Sequence, residues 1–562
     1  MPAKHPRLAV AIALALALMT SAPAAALQAP DLRTVDLNPG SESSYARGFT
    51  RWNGWDYFIA GGTGNVYATE LWRTNGGTTE LLADGLRIYF DGYFNGKPTS
   101  DRVFAQLGSY LYFWGEDDVR GEEIWRTNGL DTTPVTNVCA ADCDGVSSVP
   151  FTFGSYVYFQ GDNGSTGTEL YRTNGTTTSL VKDLNPGSSG SFPGDFTTYG
   201  GKLYFSYSNV ANGWELGRTD GTSTGTELFD LVPGVENSAP SDFTPFADRL
   251  FFGANSQLWS LTSSEDPTQF YAPNSGGESY VSFLTVVGTQ LYFAATDGVH
   301  GRELWMTTGD PTDPDATNLV EDISSGAGDG NPQWLTAFGS RVYFAATNGT
   351  SGVELWSSNG SATSQVADIN DGAGSSDPND LVGFASALYL YANGGELWRV
   401  TDSITATRHS MIPLWDYDGS SMDVAFKVGM SIAGDKLYLH TNVAGAGREY
   451  SWMQAPAAPV SVVAPTITGT AKVGRVLTGA RGSWSGVPSA ITSAQWYRCT
   501  SAGTTTPSTS NLSPCVAISG ATKPTYKAVT ADKGKYLRLR VKAQNESGTV
   551  YRWSKATGKI AP

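Results

Sequence analysis

Histidine is scarce in this chain, with four among 562 residues. His5 stands near the start, and His300, His409 and His440 are isolated, without the His-Glu-x-x-His spacing of a zinc-binding helix. No Gly-x-Ser-x-Gly elbow occurs at a strand-to-helix turn, and no glycine loop that could cradle a phosphate follows a strand. We therefore predict no catalytic residues and no enzyme activity.

Long apolar runs are also missing, apart from one near the beginning. Lys4 and Arg7 precede the run from Leu8 to Met19, and small residues follow it. A membrane span needs about 20 apolar residues, so we predict no transmembrane segment. The pattern is typical of a secretory signal over residues 1–26, and an uncleaved anchor is the alternative. We expect a secreted, extracellular protein, one that can associate with the cell surface.

Charged residues make up only 16% of the chain, but a hydrophobic content of 40% excludes general disorder. Their distribution is uneven. From Pro456 onward 14 Lys and Arg accompany only Asp532 and Glu546, while the remainder holds 23 basic and 51 acidic residues. This asymmetry indicates an anionic envelope polymer as a partner of the C-terminal region, rather than nucleic acid. The alternative is that these cations only solvate a small domain.

The four cysteines form two pairs that are close in sequence, Cys139 with Cys143 and Cys499 with Cys515. An even number of cysteines behind a signal sequence predicts disulfides. A metal site is the weaker interpretation because no histidine neighbours either pair.

What the chain has in abundance is an internal repeat. A Glu-Leu-Trp triplet, or a variant of it, recurs with the tryptophans Trp72, Trp125, Trp259, Trp305, Trp356 and Trp398. An apolar triplet such as Leu203-Tyr204-Phe205 precedes each copy, and the units repeat at roughly the 40–50 residues of a four-stranded propeller blade. Asn-Gly pairs after the third strand predict two-residue type I′ hairpins.

The predicted fold is all-β, and its strands carry consecutive bulky apolar residues, which lie on opposite faces of a strand. Such sheets must be covered on both faces by other sheets, as in a ring of radial blades; an open stack would need caps at both ends. The segment near Val35 resembles a fourth strand, and the last unit ends at a third strand near Tyr450. We therefore predict that these segments pair and close a propeller of about nine blades, alternatively eight, over residues 31–455.

The repeat resembles the bacterial Glu-Leu-Trp-x-x-Asp-Gly-Thr proteins, as in Glu169-Leu170-Tyr171-Arg172-Thr173-Asn174-Gly175-Thr176. That resemblance implies a propeller-like module of an exported protein and no established activity. Residues 456–464 are predicted to be a Pro/Ala linker. Residues 465–562, with Gln495-Trp496-Tyr497-Arg498-Cys499 among their motifs, resemble the bacterial immunoglobulin-like domains of surface proteins, which implies a β-sandwich.

Carboxylates are numerous, but a glutamate recurs at the same place in almost every unit, which indicates a structural role. We expect these glutamates to accept hydrogen bonds or to pair with arginines such as Arg73, Arg126 and Arg172. Calcium is the one candidate cofactor, with Asp416, Asp418 and Asp423 as candidate ligands on a glycine-containing turn. Without calcium the chain would need no cofactor.

The predicted function is a non-catalytic binding or adhesion protein that recognises a cell-surface protein or glycan through propeller loops. The alternative is a secreted polysaccharide-degrading enzyme with two carboxylates converging in the central funnel. The active site of such an enzyme would be expected in residues 263–279 or 408–424. A structural coat component is a third interpretation.

Overall fold

The computed structural model describes residues 33–37, 44–61, 67–90, 102–139, 144–313, 315–401, 406–408, 429–443, 447–455, 457–487, 490–503, 505–545 and 547–562. The described chain is all-β apart from one turn of 3-10 helix at Thr530–Asp532. It divides into two compact units, Arg33–Trp452 and Met453–Pro562. Within the described residues, no helix has the length and apolar character needed to span a bilayer.

The strands of the first unit begin with β1 (Arg33–Val35), β2 (Arg47–Trp52), β3 (Trp55–Ala60), β4 (Tyr67–Thr74), β5 (Thr79–Tyr89), β6 (Ala105–Leu107), β7 (Tyr110–Asp117), β8 (Gly121–Thr127) and β9 (Thr132–Pro134). They continue with β10 (Phe151–Phe153), β11 (Tyr156–Asp162), β12 (Thr168–Thr173), β13 (Thr178–Lys182), β14 (Gly194–Tyr199), β15 (Lys202–Asn209), β16 (Gly213–Thr219), β17 (Glu227–Leu228), β18 (Ser241–Phe246), β19 (Arg249–Ala254), β20 (Gln257–Leu261) and β21 (Thr268–Tyr271). The last are β22 (Ser282–Val287), β23 (Gln290–Thr296), β24 (Arg302–Thr307), β25 (Thr317–Glu321), β26 (Gln333–Phe338), β27 (Arg341–Thr347), β28 (Val353–Ser358), β29 (Thr363–Ala367), β30 (Asn379–Phe384), β31 (Ala387–Ala392), β32 (Glu396–Val400), β33 (Ala406–Arg408), β34 (Ser431–Ala433), β35 (Lys436–Val443) and β36 (Gly447–Gln454).

These strands form antiparallel quartets in chain order, such as β10-β11-β12-β13 and β26-β27-β28-β29. The first two quartets are joined into one eight-stranded sheet, because the long strand β5 also pairs with β7 through Arg87 opposite Glu116 and Ile88 opposite Gly115. The sequence analysis did not predict this junction.

Both faces of the second and third strands are buried, as the apolar triplets predicted. Leu203, Tyr204 and Phe205 are all inaccessible to solvent. Each core lies between two successive sheets; one contains Tyr158 from β11 and Phe205 from β15. First strands of neighbouring sheets lie side by side, as β18 does with β22 and β22 with β26. Sheets stacked in this radial manner form a β-propeller.

The first and last quartets close on each other. Strand β1 pairs antiparallel with β36, with Arg33 opposite Trp452 and Val35 opposite Tyr450. The predicted pairing of these two segments is confirmed. A shared core then joins Phe49 and Phe58 of the first quartet to Tyr438 and Tyr450 of the last, and β2 lies against β34. Closure covers the edge that β36 would otherwise present, and β1 becomes the outer strand of that sheet.

The turns between third and fourth strands differ from the predicted type I′ hairpins. The loop from Asn174 to Thr177 has four residues, and only Gly175 has a positive φ, of 86°. The Asn174 side chain accepts hydrogen bonds from the backbone N–H groups of Thr176 and Thr177 at 2.9 and 2.8 Å. Asparagine therefore acts through its side chain rather than through a left-handed backbone.

The second unit contains β37 (Ala457–Val463), β38 (Thr466–Thr468), β39 (Val476–Ala480), β40 (Ser483–Val487), β41 (Ile491–Cys499), β42 (Cys515–Ala517), β43 (Thr525–Lys527), β44 (Tyr536–Asn545) and β45 (Gly548–Trp553). The sheet β38-β39-β43 packs on the sheet β42-β41-β44-β45 around a core that includes Leu477, Trp496 and Leu539. The predicted linker at 456–464 is wrong: β37 occupies most of it and pairs with β40, because backbone hydrogen bonds are available there despite the alanine and proline content.

Candidate functional site

The predicted sites fall partly outside the described residues. Asp416, Asp418 and Asp423, the candidate calcium ligands, lie outside them, as does the predicted signal at 1–26. Within the part that is described, no group of three or more His, Cys, Asp or Glu side chains could hold a metal ion. The enzyme alternative's segment 408–424 lies beyond the described residues after Arg408.

One of the two predicted disulfides is confirmed. Cys499 and Cys515 are bonded, with their Cα atoms 4.0 Å apart, at the paired ends of β41 and β42. The other prediction depends on Cys143, which lies outside the described residues. The bonded pair closes a loop over Tyr497 and Trp553 on the outer face of its sheet.

The repeat tryptophans lie in or beside the cores between sheets. Trp72, Trp125, Trp305 and Trp356 are less than a tenth exposed, and Trp259 and Trp398 are partly buried. Trp72 and Trp398 donate their indole N–H to a glutamate two residues earlier, at 3.0 and 3.2 Å. Their positions are those of packing residues, as the sequence predicted.

Six of the repeated glutamates are buried hydrogen-bond acceptors, namely Glu123, Glu169, Glu215, Glu303, Glu354 and Glu449. Glu354 is inaccessible to solvent, and its carboxylate accepts from the backbone N–H groups of Ile369 and Ser376 at 2.8 and 2.9 Å and from the Ser376 hydroxyl at 2.7 Å. Glu215 makes the same set of contacts with Leu231 and Ser238. Each carboxylate thus anchors the connection that leads from a fourth strand to the next sheet.

The electrostatics of these glutamates follow from burial. Loss of solvent raises the pKa of Glu303 to about 7, although backbone N–H groups of Ile323, Ser324 and Gly330 stabilise its charge. The pKa of Glu449 is raised to about 7 for the same reason. Such values suit acid–base catalysis, but Glu303 and Glu449 are inaccessible to solvent and enclosed by their own connections.

Of the two roles expected for these glutamates, the acceptance of hydrogen bonds is observed, and Arg73 and Arg126 have other partners. Arg73 instead binds Glu80 on the fourth strand at 2.6 Å, and its Nη1 donates to the carbonyl of Gly129 in the next quartet at 2.7 Å. Arg126 donates to the carbonyl of Gly175 at 3.1 Å. The arginine follows the glutamate by three residues, so the two side chains project to opposite faces of the strand. These arginines therefore stabilise the Asn-Gly turn of the next quartet by donating hydrogen bonds to its glycine carbonyl.

One quartet replaces the glutamate by glutamine and keeps the same anchor. Gln257 donates its amide N–H to the carbonyl of Gly277 at 2.8 Å, and the hydroxyl of Ser279 donates to its Oε1 at 2.7 Å. The segment 263–279, where the enzyme alternative was sought, therefore contains β21 and an ordinary connection. A neutral side chain serves here, which supports a structural role for the whole repeated position.

The isolated histidines show no metal-binding arrangement in the described chain. His300 lies in the turn between β23 and β24, where its Nδ1 is 2.7 Å from Oδ2 of Asp297. The hydrogen bond to this carboxylate raises the pKa of His300. His409 lies outside the described residues, and His440 is part of β35.

The connections between sheets carry a feature that the sequence analysis missed. Six of the described connections enter their first strand through a residue of positive φ, and these equivalent residues are Tyr45, Phe192, Ala239, Tyr280, Asn331 and Asp377, with φ between 44° and 50°. Asparagine and aspartate tolerate this conformation, whereas a bulky side chain there is an outlier. Phe192 and Tyr280 are nonetheless aromatic, and 47% and 55% exposed.

A third exposed aromatic is Trp214 in β16, which belongs to the sheet that follows Phe192 in the chain. Trp214 is 38% exposed, and its carbonyl accepts the backbone N–H of Ala239 at 3.1 Å. Among the equivalent residues of positive φ, Ala239 comes between Phe192 and Tyr280 in the chain. We call Phe192, Trp214 and Tyr280 the aromatic face. The sequence marks these connections only in part: four of the six equivalent residues precede a proline, among them Phe192, whereas Tyr280 and Trp214 do not.

Comparisons with known proteins do not assign this chain to a family. No family model matches it, and no curated protein matches it in sequence. Among solved structures, the computationally designed Ika8 protein has a TM-score of 0.35 at 11% identity, over 65% of this chain and 98% of that one. BamB from Moraxella catarrhalis has a TM-score of 0.31 at 12% identity, over 65% and 99%.

Puromycin hydrolase, solved as a mutant, has a TM-score of 0.33 at 13% identity, over 64% of this chain and 58% of that one. The chain thus spans less than two thirds of that enzyme's length. All these TM-scores are too low to transfer a function or a site.

Proposed function

We propose that this protein is an exported, non-catalytic binding protein that recognises a glycan through the aromatic face of its propeller. It would be secreted or held at the cell surface by virtue of the N-terminal signal predicted over 1–26. We further propose membership of the Glu-Leu-Trp-x-x-Asp-Gly-Thr repeat proteins. The propeller would then have nine blades. The eight-stranded sheet counts as two of them, and β1 supplies the fourth strand of the ninth. The two-layer C-terminal unit is proposed to be immunoglobulin-like.

The observation that carries this proposal is the combination of strain and exposure at Phe192 and Tyr280. A left-handed backbone disfavours a bulky side chain, and half of each ring is left in water, so neither residue contributes to stability as asparagine would. Backbone strain that stability does not require is characteristic of binding positions. The negative face of an aromatic ring attracts the C–H groups on the apolar side of a sugar ring.

The test replaces each aromatic by the residue that an equivalent position already uses. The double variant Phe192→Asn/Tyr280→Asn, matched to Asn331, is assayed against immobilised chitin, cellulose, mannan and β-1,3-glucan. Stacking by one ring contributes about 0.5–1.5 kcal/mol, so the double variant is expected to lose about 1–3 kcal/mol, or roughly fivefold to 150-fold in affinity, for the polymer that the wild type binds. Its melting temperature should stay the same or rise, because asparagine relieves the backbone strain.

Two further variants distinguish binding at a defined site from non-specific binding by exposed apolar residues. Trp214→Thr, matched to Thr168 at the equivalent position, should also weaken binding. Leu130→Asn removes an apolar residue that is 82% exposed on a turn between third and fourth strands, and should leave binding unchanged. Equal binding by wild type and double variant, or no binding to any polymer, would refute the glycan proposal. Release of reducing ends from a bound polymer would support the polysaccharide-degrading alternative instead.

A further inference from the structure

The C-terminal unit contains an open groove that is separate from the aromatic face. Its volume is about 390 Å³, within the range of pockets that hold small ligands. Arg481, Arg540 and Lys542 line it together with Thr492, Ser493, Ala494, Gln495 and Thr522. We call this the basic groove. Three cations and a set of hydroxyl and amide groups thus face one volume.

The sheet register explains why these side chains meet. On the paired strands β41 and β44, Ser493 is opposite Lys542, and Gln495 is opposite Arg540. Residues two apart on a strand share a face, and directly paired residues lie on the same side of an antiparallel sheet. Arg481 precedes β40 and reaches the beginning of β41, where its Nη1 donates to the carbonyl of Thr492 at 2.9 Å.

The cations are held in place before any ligand arrives. The guanidinium carbon of Arg540 lies 5.1 Å from the ring centre of Tyr497 and 5.0 Å from that of Tyr551, and its Nη1 donates to the carbonyl of Ser510 at 2.5 Å. Arg481 is fixed by its bond to Thr492. A side chain already held in its bound geometry loses less entropy on binding.

The charges of this groove are not neutralised by the described part of the unit. Asp532 is one of two acidic residues after Pro456, and it is buried. Its carboxylate forms an ion pair with Arg498 at 2.6 Å and accepts a hydrogen bond from the Tyr526 hydroxyl at 2.9 Å. No ion pair within 4.0 Å involves Arg481, Arg540 or Lys542 among the described residues, which exclude Glu546. Their positive charge therefore remains for a ligand.

We propose that the basic groove binds an acidic polysaccharide through its carboxylate groups. Guanidinium groups match the planar geometry of a carboxylate with paired hydrogen bonds. The neighbouring Thr492, Ser493 and Thr522 offer hydroxyl groups of the kind that hydrogen-bond sugar hydroxyls, whereas the amide N–H groups of Gln495 are already donated to backbone carbonyls of the unit. The uncompensated charge of the unit attracts a polymer of negative charge over a longer range. This site is independent of the glycan site on the propeller.

The test uses the full chain and three polymers in calorimetric titrations. Polygalacturonate supplies carboxylates, its methyl ester supplies the same backbone without charge, and poly(glycerol phosphate) supplies phosphate. Wild type is expected to bind polygalacturonate at least tenfold more tightly than the ester, with affinity falling as salt rises. Arg481→Gln/Lys542→Gln should weaken that binding at least tenfold. Lys555→Gln/Lys559→Gln, which removes two exposed cations elsewhere in the unit, should change it less than threefold.

Three outcomes would overturn the proposal. Equal losses in the two double variants would mean that only net charge acts, and equal binding of the ester would mean that carboxylates are not recognised. Tighter binding of poly(glycerol phosphate) would assign the groove to phosphate. The variant Phe192→Asn/Tyr280→Asn should bind polygalacturonate as the wild type does, so that failure at one site is distinguishable from failure at the other.

Discussion

The strongest prediction concerns the seam where the ring closes. Asp56 on β3 is inaccessible to solvent, and its carboxylate accepts from the Nζ of Lys436 at 3.0 Å and from the hydroxyl of Tyr438 at 2.5 Å, both in the last quartet. Arg51 pairs with the same carboxylate. The change Asp56→Ala would leave Lys436, 6% exposed in its side chain, as a buried cation without this partner. Breaking a buried ion pair in this way costs about 3–5 kcal/mol.

The matched control is Asp435→Ala. Asp435 lies 3.2 Å from Arg51 and 3.8 Å from Lys436, but half of its side chain is exposed. Exposed pairs contribute about 0–1 kcal/mol. Urea unfolding followed by tryptophan fluorescence measures both variants. Hydrogen exchange should show lost protection in β1 for Asp56→Ala alone. Equal free energies of unfolding for the two variants, or unchanged protection of β1, would refute the role assigned to this seam.

Three further predictions address the repeat and the tail. Gly175→Ala should lower the free energy of unfolding by more than about 2 kcal/mol, because its Cβ would lie 2.3 Å from a tyrosine hydroxyl of the neighbouring sheet. Glu303 has a pKa raised to about 7 from its ordinary 4.5, so its contribution to stability is complete below pH 4.5 and is lost as pH rises through 7, by on the order of 3 kcal/mol. Cys499→Ser with Cys515→Ser should destabilise the C-terminal unit by about 3 kcal/mol, since the bridge spans 16 positions.

Each of these has its own control. For the glycine, the control is Gly154→Ala: Gly154 has a positive φ, but no atom of the described chain lies near the position of the added Cβ. The change should lower the free energy of unfolding by only about 1 kcal/mol. Equal losses in the two variants would show that the contact with the tyrosine hydroxyl does not matter. For the glutamate, urea titrations from pH 4 to 8 should show a shallower decline in Glu303→Gln than in wild type, and parallel curves would contradict the assignment. For the cysteines, thermal melting with and without reductant should reproduce the variant, and an unaffected melt would count against the bridge.

Much of the propeller could be predicted from the sequence because its signals are local and repeated. Consecutive apolar residues such as Leu203, Tyr204 and Phe205 require burial on both faces of a strand, and the fourth-strand pattern near Val35 pointed to the incomplete quartet at Tyr450. The turn type was mistaken at Asn174 because the dipeptide is compatible with both a left-handed backbone and a side-chain turn, and only the loop length separates them.

The tail was less predictable. The strand β37 replaced an expected linker because alanine and proline do not prevent pairing when a partner strand is available. The basic groove could not be located from charge counts, since the register of β41 against β44 decides that Ser493 and Lys542 face each other. The aromatic face was missed because exposure and positive φ are properties of the folded backbone.

The amino-acid sequence by itself determined the all-β class, the repeated quartets and the pairing that closes the ring, because apolar periodicity and repeat spacing act over a few residues. Only the tertiary structure decided what the repeated glutamate does. A carboxylate such as Glu354 becomes a buried anchor rather than a catalytic group because a connection 15 to 22 residues away in the chain folds back and encloses it.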